Sequence, residues 1–332
     1  MLIRFNDFTI CDSARDGSMK LADDLLFAIA RRMYTRNMGQ SEEMSDALAD
    51  SDSYADYRRQ CVRRVLDAAE RYQVPYRDQV VLDLGCYDGA ISGGYLDAGA
   101  RRVVGVDIDE PAVRQAQQNH TKENLEFRVG STTELPVQDA SIDTIFCYDV
   151  FEHVACPAPI LEQCYRVLRP GGRMLIGTWG WYHPFAPHLW STMPVPWAHV
   201  VFGEASMLRV CRRIYQSDFY RPNMHDFDEQ GERLADKFDY STIPTDYLNK
   251  YLIRDFERVF EESSLDFRVH SERFSSKWAA WTAPLLKVPL LREFFTAYIW
   301  VVLERPSVTE KKPPPNTQQS ADYAQVAAVG AS

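Results

Sequence analysis

The segment Val80-Val81-Leu82-Asp83-Leu84-Gly85-Cys86-Tyr87-Asp88-Gly89 constrains this chain more than any other. An apolar, valine-led run enters a turn with glycine at both ends, and helical patterning follows. That order reads as a buried strand, a tight turn and a helix, because glycine takes backbone dihedrals that other residues resist and lets a ligand approach the main chain. The next strand candidate ends in Asp107, whose carboxylate is placed to accept hydrogen bonds from both hydroxyls of a ribose. Together the two features point to a nucleoside ligand.

Alternation extends this unit. Strand candidates Val80–Leu84, Arg102–Asp107, Leu125–Val129, Ile142–Tyr148 and Arg173–Thr178 alternate with helical patterns near 90–98, 110–119 and 157–168. Successive βα units predict a doubly wound α/β fold with a parallel sheet, right-handed crossovers and a ligand site outside the carboxyl ends of the strands. The middle of the glycine turn narrows the ligand. A dinucleotide fingerprint starting at Gly85 needs glycine at position 87, where Tyr87 stands. The Asp83 carboxylate repels phosphate and suits a ligand carrying an ammonium and a sulfonium. No G-x-x-x-x-G-K-[ST] loop occurs.

These residues resemble the class I S-adenosylmethionine-dependent methyltransferases. Leu82-Asp83-Leu84-Gly85-Cys86-x-x-Gly89 is similar to the first family motif, and Val106-Asp107-Ile108-Asp109 to its ribose strand. Gly130-Ser131-Thr132-x-Glu134-Leu135-Pro136 is similar to the adenine segment. Ser141-Ile142-Asp143-Thr144-Ile145 begins the fourth strand, leading to Glu152-His153-Val154, and Leu168-Arg169-Pro170-Gly171-Gly172-Arg173 is similar to the turn before the fifth. The resemblance is close from Gln79 to Trp179 and weaker from Tyr247 to Leu303, which fits the last helix and closing antiparallel strands. It implies a seven-stranded, mostly parallel sheet, S-adenosyl-L-methionine as cofactor, and methyl transfer as the reaction. The implied cofactor residues are Asp83, Gly85, Cys86, Tyr87, Gly89, Asp107, Ile108, Ser131, Thr132 and Tyr148. Two positions depart from the family. Tyr87 replaces the middle glycine and either stacks near the methionine moiety or plugs the turn. Ser131 replaces an acid near the adenine amine, which shifts adenine contacts toward backbone groups around Thr132.

Candidate catalytic residues follow the fourth strand. Asp149 and His153 are four apart and are expected to share a helix face. His153 titrates near neutrality and is placed to take a proton from an acceptor hydroxyl; the alternative is that Glu152-His153 only caps and orients this turn. The run 179–190 carries the candidate acceptor contacts Trp179, Trp181, Tyr182, His183 and His188. Aromatic faces bind planar or apolar acceptors and steady a cation, although these rings can equally form a small core of their own. Arg209, Arg212 and Arg213 are either a clamp for an anionic acceptor or a solvated face. No H-x-x-x-H or H-E-x-x-H occurs, so a metal site is not expected.

Composition decides the acceptor class. The net charge is −10 over 332 residues, whereas nucleic-acid binders gain affinity by neutralising phosphates with Lys and Arg. No Asn/Asp-Pro-Pro-Tyr follows the fourth strand, where Cys147-Tyr148-Asp149-Val150 stands, and no Pro-Cys nucleophile appears. The expected acceptor is a small molecule with a hydroxyl, amine or activated carbon, in a biosynthetic pathway. Carbon methylation of a prenyl diphosphate and a non-catalytic, cofactor-retaining scaffold are the alternatives. Seven scattered cysteines without a C-x-x-C pair suit reduced thiols. No signal peptide is read in the N-terminal residues, and Phe294–Leu303 is about half of what a spanning helix needs, so a cytoplasmic protein is expected. Five regions follow: a helical lead-in over 1–75, the cofactor core over 76–179, an insertion folded over the sheet over 180–248, the closing helix and strands over 249–304, and a disordered tail over 305–332.

Overall fold

The computed structural model describes residues 10–36 and 51–307, apart from 229, 236 and 276. The expected tail lies outside the described residues except for 305–307, and the lead-in is described only in part. The chain divides into two compact units, one of Ala55–Trp181 with Thr245–Ser332, the other of Met1–Tyr54 with Tyr182–Pro244.

The first unit is built on one seven-stranded sheet of order β3-β2-β1-β4-β5-β7-β6. Its strands are β1 Val80–Leu84, β2 Arg102–Asp107, β3 Leu125–Val129, β4 Ile142–Tyr148, β5 Leu168–Thr178, β6 Asp266–Arg273 and β7 Thr296–Glu304. β1 to β5 pair in parallel, and β7 runs antiparallel to both β5 and β6. This is the doubly wound, mostly parallel sheet expected from the sequence. Every residue of β4 is buried, as a strand flanked by parallel neighbours and covered on both faces requires. Alternation then sorts the core: Leu82, Leu84, Val104 and Ile145 fill one face, Val81, Val103, Phe146 and Leu175 the other.

Helices join the strands. In this unit α2 (Ser51–Arg71, from Ala55 on), α3 (Ala90–Asp97), α4 (Glu110–Asn119), α5 (Pro157–Val167) and α8 (Ile253–Glu262) accompany the sheet, with α9 (Pro289–Phe295) before β7. Asp109 caps α4 by accepting from the Ala112 N–H at 2.9 Å, and proline in the first turn presets its dihedral.

Two boundaries differ from the sequence reading. The helical pattern read from Tyr247 to Glu262 becomes helix only from Ile253, the start of α8, where the first N–H groups are satisfied. The buried Glu293 carboxylate accepts from Ile253 at 2.8 Å and Arg254 at 3.1 Å, and Asp255 accepts from the Leu252 N–H at 3.0 Å. β5 begins at Leu168 rather than Arg173, with a register irregularity opposite Ile142 and Thr144. No helix of the described residues is long and apolar enough to cross a membrane.

The second unit is helical and irregular, with α1 (Ile10–Tyr34), α6 (Ala198–Val201) and α7 (Glu204–Tyr215). Ion pairs join α1 to α7: Arg209 Nε lies 2.7 Å from Asp23, and Arg213 lies 2.8 Å from Asp24. Arg212 approaches Asp239 at 3.6 Å. The arginine cluster is therefore engaged within its own unit rather than held open as an anion clamp.

Candidate active site

The carboxyl ends of β1, β2 and β4 carry the expected residues. The turn after β1 is held by its own backbone: Gly85 and Cys86 N–H donate to the Val106 carbonyl at 2.8 and 3.2 Å, and Gly89 N–H to the Cys86 carbonyl at 2.9 Å. Glycine is required at both ends. Gly85 and Gly89 have φ of +81° and +77°, and a Cβ there would stand 2.3 Å from Val150 and 2.5 Å from Phe127. Tyr87 also takes a left-handed conformation, φ +49°. Its side chain does not plug the turn: it is 46% exposed, with the Arg58 guanidinium 5.4 Å above its ring. Arg58 in turn pairs with Asp88 at 2.8 Å.

Asp107 is pre-oriented. Oδ2 accepts from the Tyr87 N–H at 2.8 Å and Oδ1 from the Asp109 N–H at 2.9 Å. A carboxylate has about four acceptor positions, so each oxygen keeps capacity for a hydroxyl. Ile108 beside it is 72% exposed. Ser131 closes the next loop on itself, its Oγ accepting from the Glu134 N–H at 3.1 Å, with Thr132 inside that turn. Two expected contacts point elsewhere. Cys86 is fully buried, so only its backbone faces the turn, and Asp83 is buried and accepts from the Ser92 hydroxyl at 2.5 Å. Burial pushes the Asp83 carboxyl up to about 6.

After β4 the chain does not continue as a helix. Asp149 is left-handed at φ +52°, and only the 3-10 turn Phe151–His153 follows, so Asp149 and His153 do not share a helix face. The Tyr298 hydroxyl donates to Asp149 at 2.5 Å, and burial raises the Asp149 carboxyl above its ordinary range. Glu152 is buried with one oxygen accepting from the Thr178 hydroxyl at 2.6 Å and Oε1 without a hydrogen-bond partner. Burial, with the neighbouring Asp149 charge, pushes it up to about 8. His153 Nδ1 lies 2.7 Å from the Tyr247 carbonyl. A carbonyl only accepts, so Nδ1 carries the proton and Nε2 is the basic nitrogen. Burial lowers the imidazole pKa.

Tyr148 stacks on Trp300 at 6.0 Å and accepts a hydrogen bond from Arg64 at 3.3 Å. Trp179 lies 5.8 Å from the Tyr298 ring, and Lys250 is 5.5 Å above the Trp181 ring. Tyr182, His183 and His188 belong to the other unit. There the Tyr182 carbonyl accepts from the Trp197 indole at 2.8 Å, and His188 stacks on Trp190 at 5.3 Å. Burial, with His199 nearby, pushes His183 down to about 3. Arg58, Arg64 and Tyr298, which contact Tyr87, Tyr148 and Asp149, are not singled out by the sequence. The apolar stripe of α2 at Tyr57, Cys61 and Val65 was visible, and the two arginines beside it were the available signal.

Asp83, Asp88, Asp107 and Asp109 make the surroundings of the turn acidic, and Arg58 is paired with Asp88. This acidic set of acceptors fits a nucleoside bearing an ammonium and a sulfonium and disfavours a pyrophosphate.

A family model described as "Methyltransferase domain" matches residues 82–176. A Mycolicibacterium smegmatis protein named "Probable S-adenosylmethionine-dependent methyltransferase" is 39% identical over 98 residues, 30% of this chain and 37% of that protein. An uncharacterized methyltransferase of Mycobacteroides abscessus is 28% identical over 233 residues, 69% of this chain and 78% of that protein. A solved S-adenosylmethionine-dependent methyltransferase from Mesorhizobium loti is 17% identical over 72% of this chain and 96% of its own, with a TM-score of 0.43. The chain spans 37% and 41% of the length of two of the curated relatives it matches.

Proposed function

We propose that this chain, whose residues 82–176 match the methyltransferase-domain family model, transfers the methyl group of S-adenosyl-L-methionine to a small-molecule acceptor with a hydroxyl, amine or activated carbon, in a biosynthetic pathway. The observation that carries this reading is Asp107: a carboxylate fixed by two N–H donors at the end of β2, beside an exposed isoleucine and an acidic glycine turn. In this reading Asp107 holds the ribose hydroxyls, Ile108 covers an adenine face, and backbone groups around Ser131 and Thr132 meet the adenine edge. Gly85 and Gly89 let the main chain approach the cofactor, and the acidic surroundings favour its positive charge.

The cofactor supplies an activated methyl on a sulfonium. The protein's part is alignment, exclusion of water and handling of the acceptor proton. Neutral His153 is the proposed base, with Nε2 receiving the acceptor's proton while the Tyr247 carbonyl fixes the ring through Nδ1. Its lowered pKa keeps it unprotonated at neutral pH. Trp179, Trp181, Tyr182, His183 and His188 remain the candidate acceptor residues. The diphosphate alternative loses its arginines, since Arg209 and Arg213 already pair with Asp23 and Asp24.

The test is calorimetric titration with S-adenosylmethionine followed by mass spectrometry on an acceptor panel. Saturable binding with a methyl-sized mass gain supports the reading. Binding without turnover on any acceptor favours a scaffold, and no binding refutes it.

A further inference from the structure

The connection between β6 and β7 leaves a run of apolar side chains in solvent. It consists of a 3-10 stretch, Lys277–Lys287, followed by α9. Trp281 is 67% exposed and Leu290 62%, and Ala283, Pro284, Val288 and Pro289 between them are exposed as well. Single exposed apolar residues are ordinary, whereas a contiguous group on one short connection marks a surface that meets something other than water.

This connection is anchored to the sheet unit. Arg292 in α9 pairs with Glu257 of α8 at 2.7 Å and donates to the Ser271 hydroxyl of β6 at 3.0 Å. Thr282 and Glu293 are buried, and the Glu293 carboxylate caps α8. The Phe295 ring meets that of Trp281 edge-on at 6.1 Å. Fixed at these points, the connection keeps Trp281 and Leu290 outside the core.

Charge narrows the partner. From Arg273 to Arg292 the sequence holds Arg273, Lys277, Lys287 and Arg292 and no Asp or Glu, on a chain whose net charge is −10. The acids that bound this stretch are engaged: Glu272 pairs with Arg71 at 2.6 Å, and Glu293 is the cap of α8. Lys287 is exposed and has no ion pair among the described residues. An anionic surface that the chain as a whole repels is therefore attracted here, which selects the face that meets it.

Chemistry and size then separate a bilayer from a second protein. Tryptophan suits the bilayer interface, where its ring is apolar and its N–H reaches the headgroups. Pro284 and Pro289 carry no N–H that would have to leave water unpaired. The exposed residues between Trp281 and Leu290 are few against the roughly 20–30 per side of a stable protein interface. A peripheral membrane contact needs only a few inserted side chains beside a cation that attracts acidic lipids.

We propose that this face docks on an anionic lipid bilayer, with Trp281 and Leu290 entering the boundary between headgroups and acyl chains and Lys287 meeting the lipid phosphates. Docking of this kind goes beyond the methyl-transfer reading and is independent of it.

The full chain and its Trp281→Ala, Leu290→Ser and Lys287→Glu variants are floated with vesicles of phosphatidylcholine mixed with phosphatidylglycerol and, separately, with vesicles of phosphatidylcholine alone. Wild type should partition onto the mixed vesicles and measurably less onto phosphatidylcholine. Each of the three substitutions should lower partition onto the mixed vesicles by about tenfold, and added salt should weaken wild type in the same direction as Lys287→Glu. All three positions are exposed, so melting curves should match wild type and show that lost partition is not lost fold. No partition of wild type, equal partition onto both vesicle types, or variants that partition like wild type overturn the proposal. So does light scattering that shows a dimer dissociated by Leu290→Ser with vesicle partition unchanged, which would give this face to a second copy of the chain.

Discussion

In the helical unit, Asp23 meets Arg209 at 2.7 Å and the buried Asp226 meets Lys237 at 2.8 Å. In the sheet unit, three carboxylates near the β1 and β4 ends meet hydroxyls instead: Asp83 that of Ser92, Asp149 that of Tyr298, Glu152 that of Thr178. The protonation consequences are opposite. Burial works against ionised Asp23, yet hydrogen bonds from Arg209 and Ser206 hold its carboxyl below the ordinary range. Burial without a paired cation raises Asp83, Asp149 and Glu152. Paired charges join elements, whereas carboxylates desolvated without a cation hold their protons to higher pH.

That contrast can be broken most decisively at Asp107. Two hydroxyl contacts to a charged acceptor, each about 1.5–3 kcal/mol, mean that Asp107→Ala should weaken S-adenosylhomocysteine by about 100-fold or more. Unchanged affinity by calorimetry would remove the ribose assignment. Next in size, His153→Ala should lower turnover by about 100-fold with cofactor affinity retained, since a general base acts on the chemical step. Wild-type turnover would clear His153 of that role.

Glu152 sharpens the comparison through pH. Its folded pKa of about 8 lies above its ordinary value, so across the interval between them the folded state keeps a proton that the unfolded state has lost. Stability therefore falls as pH rises through that window and levels off above it. Glu152→Gln lacks this dependence, so between about pH 5 and pH 8 its stability should gain on wild type by on the order of a few kcal/mol, read as a rising difference in Tm. Parallel Tm curves would show that the buried carboxyl is not raised. The smallest effect belongs to the helical unit: Arg209→Ala should destabilise by about 1 kcal/mol or less and leave cofactor binding alone. A loss of cofactor affinity there would break the division between the units.

Sequence carried much of the sheet and less of the site. Val80–Leu84, Arg102–Asp107, Leu125–Val129 and Ile142–Tyr148 read directly as strands, because buried parallel strands are short apolar runs bounded by turns. Asp107 was legible because its position at a strand end is local. The start of α8 was not, since the carboxylate that satisfies its first N–H groups is Glu293, 40 residues from Ile253. The Arg209–Asp23 pairing spans 186 residues and the Tyr298–Asp149 contact 149. Local periodicity carries no information about such partners, so the arginine cluster looked available and Tyr298 looked like an ordinary strand residue.

The most direct measurement is a crystal structure of the full chain grown with S-adenosylhomocysteine. The account predicts the nucleoside against the Gly85–Gly89 turn with both ribose hydroxyls within hydrogen-bond distance of Asp107. An empty turn in saturated crystals, or the ligand bound away from the ends of β1 and β2, would contradict it.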